Sequence, residues 1–287
     1  MSMLANAPTM TPTMAPNSDR PGNASTKEVS GTQLRDLKKK LPLRVLSEDD
    51  FAHWQTYGYV VVPNAVPAEQ VKATVDLLWE FEEMDPNDPE SWGRPQMRDN
   101  AMKELNNSGM VEIYNHQCLW DNRQTQRVYD AFVDIWDRTD LWVSIDRANL
   151  NTPNKGTRAF DGFIHWDADT SADPLPINVQ GVLSLVDTTD DMGGFQCVPD
   201  LFANFEEWRK TAPADRDPFR PDMDTVPYTP KRIAMKAGDL VIFNSLLAHG
   251  IRANRSDQAR IAQYISMAPA TPEEQDLVDW RVKSWSE

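Results

Sequence analysis

The chain has little cysteine, little histidine and no long apolar run. Cys118 and Cys197 are the only cysteines among 287 residues. Neither lies in a Cys-x-x-Cys pattern, so a disulfide framework and a cysteine-based structural zinc site are both disfavoured. No stretch approaches the roughly 18 consecutive apolar residues that a membrane helix needs. The chain has four histidines in all, and a histidine-rich metal centre is therefore disfavoured as well.

Positive charge is also scarce. Lys and Arg number 29 against 44 Asp and Glu, which gives a formal net charge of −15. This charge disfavours a nucleic acid or an anionic membrane as a partner, because both are themselves negatively charged. A short basic run at 35–44 is the exception, and we interpret it as a solvated approach to the folded part. The termini show neither a secretory signal nor a peroxisomal tripeptide, and we expect a cytoplasmic protein.

Composition predicts a tail followed by one domain. Residues 1–40, rich at first in Pro, Thr, Asn and Ser, are predicted to be a flexible N-terminal tail. Residues 41–287 are predicted to form a single domain that is helical to about residue 140 and β-rich over about 141–268. Capping and helical periodicity predict one helix in "LSEDDFAHWQTYG" and a second in "PAEQVKATVDLLWEFEEM".

The second half of the chain carries many short strand-like runs separated by turn residues. Examples are "LWVSIDRANL", "AFDGFIHW", "INVQGVLSLV", "GDLVIFNSL" and "ARIAQYISMAP". This texture is typical of an antiparallel sandwich or barrel. The proline-rich stretch that follows Cys197 is predicted to be an insertion between strands.

The segment "FDGFIHWDADTS" places His165 and Asp167 two positions apart. In a strand both side chains point to one face, and Trp166 points to the other. His249 lies at the end of another predicted strand, in "GDLVIFNSLLAHG". Two histidines and a carboxylate are the donor set of the Fe(II) facial triad, which leaves positions open for a cosubstrate and dioxygen. For His165 and Asp167 taken alone, a plain hydrogen bond at a solvated strand end is the alternative.

Arg260 opens the last strong strand, eleven residues after His249. A buried arginine near a metal requires an anionic partner. Its planar fork suits a carboxylate, such as the distal one of 2-oxoglutarate. Arg252 and Arg255 lie closer to His249 in the sequence, but both occur in the turn "IRANRSD" and are expected to be solvated.

Together these motifs resemble the phytanoyl-CoA dioxygenase (PhyH-like) family of Fe(II)/2-oxoglutarate oxygenases. The resemblance covers roughly residues 46–268 and rests on "LSEDDFAHWQTYGYVVVPNAV", "HWD", "MGGFQCVPDLF", "AGDLVIFNSLLAHG" and the arginine that follows. It implies a mainly β fold with flanking helices, whose core is a double-stranded β-helix (a cupin-like jelly-roll). It also implies that His165, Asp167 and His249 bind Fe(II) and that Arg260 binds 2-oxoglutarate. One departure is that the family's "PGSH" reads "PDLF" here.

Ser184 and three further residues are candidates for contacts around this centre. Ser184 shares a strand face with Gln180, and it either contacts 2-oxoglutarate, as the resemblance implies, or belongs to an outward polar stripe. Tyr114, His116 and Asn149 are candidate substrate contacts, since they offer hydrogen bonds that apolar strands lack. We expect the segment around 110–122 and the insertion after Cys197 to cover the barrel mouth.

The expected activity is oxidation of a small metabolite or natural-product intermediate by O2 and 2-oxoglutarate, with release of succinate and CO2. Hydroxylation is the default outcome, and desaturation or ring closure share the same hydrogen abstraction. A non-catalytic cupin-type metal protein is the alternative, although cupin sites usually carry more histidines. A halogenase of this family would lack the metal-binding carboxylate, so Asp167 argues against that activity.

Overall fold

The structure is a computed structural model that describes residues 34–93, 97, 109–153 and 161–286. Most of the predicted tail, residues 1–33, lies outside the described residues. The end of that tail is part of the fold, however. Leu34 begins a short 3-10 helix and is buried in the core, and the Arg35 guanidinium donates a hydrogen bond to the Phe202 carbonyl at 2.7 Å. The predicted start of the domain at Leu41 is therefore too late.

The basic run at 35–44 is solvated only in part: Lys38, Lys40 and Arg44 are exposed, whereas Arg35 and Lys39 pack against the domain. Lys39 Nζ lies 5.1 Å from the centre of the Phe51 ring and donates a hydrogen bond to the Asp134 carbonyl at 2.7 Å. Long basic side chains cover apolar surface with their methylene stems while the charged end finds a polar partner. The charge pattern alone did not reveal this.

The described residues contain seven α-helices. They are α1 (Glu48–Tyr57), α2 (Ala68–Phe81), α3 (Gln117–Arg123), α4 (Gln126–Trp136), α5 (Pro199–Ala203), α6 (Phe205–Thr211) and α7 (Gln275–Ser286). The two predicted N-terminal helices are present. Ser47 and Asp50 form a reciprocal capping box at the start of α1, and Gly58 ends it with φ 76°. None of the helices is long and apolar enough to cross a membrane, as far as the chain is described.

Eleven strands are present in the described ranges. They are β1 (Tyr59–Val62), β2 (Met110–Val111), β3 (Leu141–Val143), β4 (Ala148–Asn151), β5 (Val179–Ser184), β6 (Phe195–Cys197), β7 (Lys231–Arg232), β8 (Leu240–Asn244), β9 (His249–Ile251), β10 (Arg260–Tyr264) and β11 (Met267–Pro269). Antiparallel pairing gives a six-stranded sheet in the order β1-β8-β5-β10-β4-β2. It also gives a three-stranded sheet, β7-β6-β9, and the pair β11-β3.

Two predicted strand runs are divided, and one is not a regular strand. "LWVSIDRANL" forms β3 and β4, and "ARIAQYISMAP" forms β10 and β11. The segment with His165 joins the sheets only through isolated bridges, Gly162 with Arg252 and His165 with His249. After His165 the backbone leaves the ladder, because the Trp166 N–H donates to the Phe219 carbonyl at 2.8 Å. Residues 159–160, the first two of the predicted run, lie outside the described residues.

Apolar side chains cover both faces of the six-stranded sheet. One face packs against helices α2 and α4, where Leu78, Phe132 and Leu183 are completely buried. The opposite face, here called the inner face, packs toward the three-stranded sheet through Val241, Phe243 and other side chains. Burying a side chain of this size contributes roughly 1.5–3 kcal/mol. The first cluster holds the helices against the six-stranded sheet, and the second fixes the spacing between the two sheets.

The inner face is apolar on β8 but polar toward β4. Residues directly opposite in an antiparallel ladder share a face, as do alternate residues in one strand. The ladder register therefore assigns the following side chains to the inner face: Asn149 and Asn151 on β4, Gln180, Val182 and Ser184 on β5, Val241 and Phe243 on β8, and Arg260, Ala262 and Tyr264 on β10. Polar groups inside a sandwich require partners, and here they mark the position of a site.

Candidate metal centre

The three predicted metal ligands converge between the two sheets. His165 Nε2 lies 3.0 Å from Asp167 Oδ1, and His249 Nε2 lies 3.2 Å from Asp167 Oδ2. One potential ligand atom from each residue lies within 4.8 Å of the other two. Adjacent ligands of an octahedral ion with bonds of about 2.1 Å lie about 3 Å apart. The donor types and their spacing thus fit a single first-row metal ion.

The backbone aligns the two histidines. His165 N–H donates to the His249 carbonyl at 2.8 Å, and His249 N–H donates to the His165 carbonyl at 2.9 Å. A pair bridged in this way has side chains on the same face, and the two imidazole centroids lie 4.6 Å apart. A pairing between distant segments of the chain therefore brings the two nitrogen ligands together.

Hydrogen bonding fixes which nitrogen of His249 is available. His249 Nδ1 lies 2.9 Å from the Leu247 carbonyl. Because a carbonyl only accepts, Nδ1 carries a hydrogen, and Nε2 is the nitrogen that remains for a metal. Phe243 flanks the ring at a centroid distance of 4.3 Å. The imidazole is thus oriented so that Nε2 would face a metal.

Asp167 is held as a carboxylate. Burial opposes its ionisation, but the charges and hydrogen bonds of His165 and His249 keep the carboxyl pKa well below its usual range. Gln180 also contacts this group, because its Nε2 donates to Asp167 Oδ2 at 2.7 Å. Sequence reasoning did not select Gln180 as a site residue. The available signal was a glutamine on a strand face shared with Ser184.

Trp166 points away from the ligands, as strand alternation predicts. Its Nε1 donates to the Leu246 carbonyl at 3.0 Å, and its ring lies 5.4 Å from Trp208 and 6.3 Å from Phe205, both on α6. Helix α6 therefore lies behind the ligand pair. Trp208 also lines a surface cavity of about 860 Å³ with residues 211–228 of the same insertion.

The helices of the insertion pack against the rest of the domain, and coverage of the barrel mouth by the insertion stays a prediction. The "PDLF" segment forms the start of α5, and Phe202 packs closely against Gly58 at the end of α1. An added Cβ on Gly58 would lie 2.8 Å from that ring. Apolar side chains in the insertion thus bury themselves against existing helices and strands. The sequence showed an insertion but not the surface against which it packs.

Arg260 is buried on the inner face, with 3% of its surface exposed. Its Nη1 donates to Asn149 Oδ1 at 2.6 Å, so its recorded partner is a neutral amide. An arginine buried in this way favours the approach of an anion. The structure therefore brings two predicted site residues, Arg260 and Asn149, into direct contact.

Arg252 was predicted to be solvated, and that prediction is wrong. Its two Nη atoms donate to the backbone carbonyls of Phe195, Thr189 and Met192 at 2.6, 2.8 and 3.2 Å. Burial, with the nearby charge of Arg232, lowers the Arg252 pKa to about 10. The guanidinium fork is thus occupied in holding the 189–195 turn. Arg255, predicted to be solvated as well, is exposed.

Ser184 faces inward and is buried. Its Oγ donates to the Val186 carbonyl at 2.8 Å and lies 3.0 Å from Thr188 Oγ1. The outward polar stripe is therefore not the arrangement found. The hydroxyl is already engaged within its own turn, and a contact with a ligand would require it to rotate.

Tyr114 and His116, the other two predicted substrate residues, precede His165 by about 50 positions in the sequence. His116 is exposed and caps α3, where its Nδ1 accepts a hydrogen bond from the Cys118 N–H at 3.2 Å. Tyr114 is half-buried, and its charge interaction with Arg147 places it beside the start of β4. The structure gives no contact between either residue and the His-Asp-His cluster.

The chain is similar to known proteins over most of its length. The model of the family described as phytanoyl-CoA dioxygenase (PhyH) matches residues 54–262. A Dictyostelium discoideum protein named for the same dioxygenase is 24% identical over an alignment of 268 positions, which covers 77% of this chain and 75% of that protein.

Solved structures of similar fold include two enzymes of nogalamycin chemistry. The epimerase SnoN in complex with Fe3+, alpha-ketoglutarate and nogalamycin RO has a TM-score of 0.55 and 17% identity, with 78% of this chain and 84% of that chain covered. The non-heme alpha-ketoglutarate-dependent carbocyclase SnoK from nogalamycin biosynthesis has a TM-score of 0.51 and 19% identity, with 78% and 85% covered. At these identities the likeness shows the fold.

Proposed function

This chain belongs to the phytanoyl-CoA dioxygenase family and is a non-haem iron, 2-oxoglutarate-dependent enzyme, and on that basis we propose that it hydroxylates a small-molecule metabolite or natural-product intermediate. Succinate and CO2 are the coproducts. The observation that carries the proposal is the convergence of His165, Asp167 and His249 within 4.8 Å. The two packed antiparallel sheets are, in this proposal, the halves of a double-stranded β-helix.

Each ligand has a defined role at the proposed iron site. His165 and His249 supply neutral Nε2 atoms, and Asp167 supplies the one negative charge. When bound there, iron(II) supplies activation of dioxygen for attack on a substrate carbon, coupled to decarboxylation of 2-oxoglutarate. These three side chains would hold the ion, and a set of three donors would leave further positions for the cosubstrate and dioxygen. Phe243 and Phe195 shield His249 from water through ring contacts at 4.3 and 5.9 Å.

Arg260 is the proposed anchor for the distal carboxylate of 2-oxoglutarate. It lies on the inner face, buried, and its described hydrogen bond to Asn149 uses one N–H. A guanidinium offers five N–H donors, so a two-pronged contact with a carboxylate remains feasible. Asn149 orients the guanidinium in this arrangement, and Ser184 is the proposed second contact after rotation of its hydroxyl.

Substrate is proposed to enter near the start of β4. Residues Arg147 and Asn149 alternate with Ala148 and therefore share the inner face, and Tyr114 and Tyr264 interact electrostatically with Arg147. These groups provide hydrogen bonds for a polar substrate. Tyr114 and Asn149 are better placed for this role than His116, which is exposed and caps a helix.

The test of function is succinate formation by the purified protein with Fe(II), 2-oxoglutarate, O2 and a panel of small molecules. We expect substrate-stimulated succinate formation with matching O2 uptake. Asp167→Ala should reduce it at least about 100-fold through loss of the metal. Asp169→Ala is the matched control, because this carboxylate lies two residues away and accepts from the Ser171 N–H at 2.8 Å.

Three outcomes would contradict the proposal. Unchanged succinate formation in Asp167→Ala would show that the cluster of His165, Asp167 and His249 does not take part in the reaction. Iron binding without 2-oxoglutarate turnover, by any member of the panel or alone, would favour a non-catalytic cupin-type protein. Products that are desaturated or cyclised would keep the enzyme class and replace hydroxylation as the reaction.

A further inference from the structure

We propose that Gln180 is a positioning residue that holds Asp167 in one-oxygen coordination and thereby keeps the other metal positions open. This inference rests on the proposed metal role of His165, Asp167 and His249. It assigns a task to a residue that does not itself bind the metal.

The contact is direct and comes from the rigid part of the fold. Gln180 Nε2 donates to Asp167 Oδ2 at 2.7 Å. Gln180 lies within β5, where its backbone is paired with Phe243 of β8. Asp167, in contrast, lies outside the regular strands. A central strand of the large sheet thus fixes a side chain whose own backbone has few ladder hydrogen bonds.

Metal binding makes this contact more important. The carboxylate has three recorded partners: His165, His249 and Gln180. Both histidines approach it through Nε2, the atom that would bind a metal. With an ion bound, each Nε2 would give its lone pair to the metal and could no longer donate a hydrogen bond to the carboxylate. Gln180 is then the recorded side-chain partner that still orients Asp167.

Because the Gln180 N–H holds one oxygen of the Asp167 carboxylate, a metal ion is favoured to bind through the other oxygen alone. A carboxylate that chelates with both oxygens occupies two positions, whereas one that binds through a single oxygen occupies one. The facial triad needs three open positions, for two atoms of 2-oxoglutarate and one of dioxygen. The Gln180 amide therefore protects the position that a chelating Asp167 would take.

The chemistry of an amide suits this task. An amide N–H donates without adding charge, so the Asp167 carboxylate keeps its full charge for the cation. A lysine at this place would neutralise that charge, and a glutamate would add a competing ligand. Hydrogen-bond partners of metal ligands change metal affinity or activity by about 10–100-fold when removed.

The experiment compares Gln180→Met with Gln180→Ala. Methionine keeps the length of the side chain and removes the donor, while alanine also removes the volume. Gln196→Ala is the matched control, because Gln196 is a half-buried glutamine on β6 of the three-stranded sheet and donates to the Phe163 and Ile251 carbonyls, both at 3.3 Å. Co(II) binding by anaerobic calorimetry and the melting temperature of the metal-free protein are measured for each variant.

We expect the Co(II) dissociation constant to rise about 10–100-fold in both Gln180 variants, which is roughly 1.4–2.8 kcal/mol. The melting temperature of metal-free Gln180→Met should stay within about 2 °C of wild type, since the volume is retained. Gln196→Ala should bind Co(II) as wild type does. The Michaelis constant for 2-oxoglutarate at saturating metal should also rise in Gln180→Met, because a chelating Asp167 blocks one of its positions.

Three results would overturn the inference. The first is a change in Co(II) affinity of less than about tenfold in Gln180→Met. The second is an equal loss of metal affinity in Gln196→Ala, and the third is a fall in the melting temperature of metal-free Gln180→Met; either of these would mean a general structural role. Failure of the wild-type protein to bind Co(II) or Fe(II) would instead contradict the proposed function, so the two failures are distinguishable.

Discussion

Replacing Arg260 with lysine tests the proposed 2-oxoglutarate site most directly. Arg260 is 3% exposed, and its hydrogen bond to Asn149 occupies Nη1. Lysine keeps the positive charge but loses the planar fork, so one of two charge-assisted hydrogen bonds to a carboxylate is lost. Such a bond contributes about 1.5–3 kcal/mol. The expected result is a 2-oxoglutarate dissociation constant about 10–150-fold larger.

The assay is anaerobic calorimetry of 2-oxoglutarate binding to Co(II)-loaded protein. It reports the cosubstrate without turnover and needs no knowledge of the substrate. Arg255→Lys is the matched control, because Arg255 is an exposed arginine of the preceding turn. Its affinity for 2-oxoglutarate should equal that of wild type.

A change of less than about threefold in Arg260→Lys, together with wild-type affinity in Arg260→Ala, would refute the reasoning. Arg252 would not be the obvious replacement. Its Nη atoms already donate to three backbone carbonyls, so recruitment of Arg252 would require the 189–195 turn to open. Metal affinity should be unaffected in Arg260→Lys, which separates loss of the cosubstrate contact from loss of the metal.

Two further predictions concern the scaffold. Asp134→Ala should lower the free energy of unfolding in urea by about 3–5 kcal/mol, because three successive backbone N–H groups at 44–46 lose a buried acceptor; a loss below about 1 kcal/mol would contradict this. Burial raises the pKa of the Cys197 thiol to about 12, so a thiol reagent at pH 8 should modify Cys118 alone in the native protein and both cysteines in urea. Two rapidly reacting thiols in the native state would show that Cys197 is accessible.

The parts of the fold that could be predicted from sequence depend on local chemistry. The capping box at Ser47 involves residues close in the chain, and the start of α1 was predicted for that reason. Strand alternation likewise placed Trp166 opposite its two neighbours. The cluster of His165, Asp167 and His249 could be predicted because few side-chain types bind metals and because their spacing in the sequence restricts the possible combinations.

The missed features all depend on contacts between distant residues. The position of Arg252 in a turn gave no sign that three carbonyls elsewhere needed donors. Gln180 and Asp167 are brought together by tertiary packing, and nothing in their sequence separation of 13 positions requires their contact. The packing of α6 behind Trp166 is of the same kind, since a helix pattern shows which face is apolar but not what lies against it.

The bridge between His165 and His249 also sets the order of events during synthesis. The second histidine follows the first by 84 residues. At about 5–20 residues per second, the ribosome makes it roughly 4–17 s later. The intervening chain must then close a long loop, at an entropic cost that local contacts do not repay. On the proposed metal role of these residues, a growing chain therefore offers iron an incomplete, two-ligand site at first, and the complete cluster of three side chains is a late product of folding.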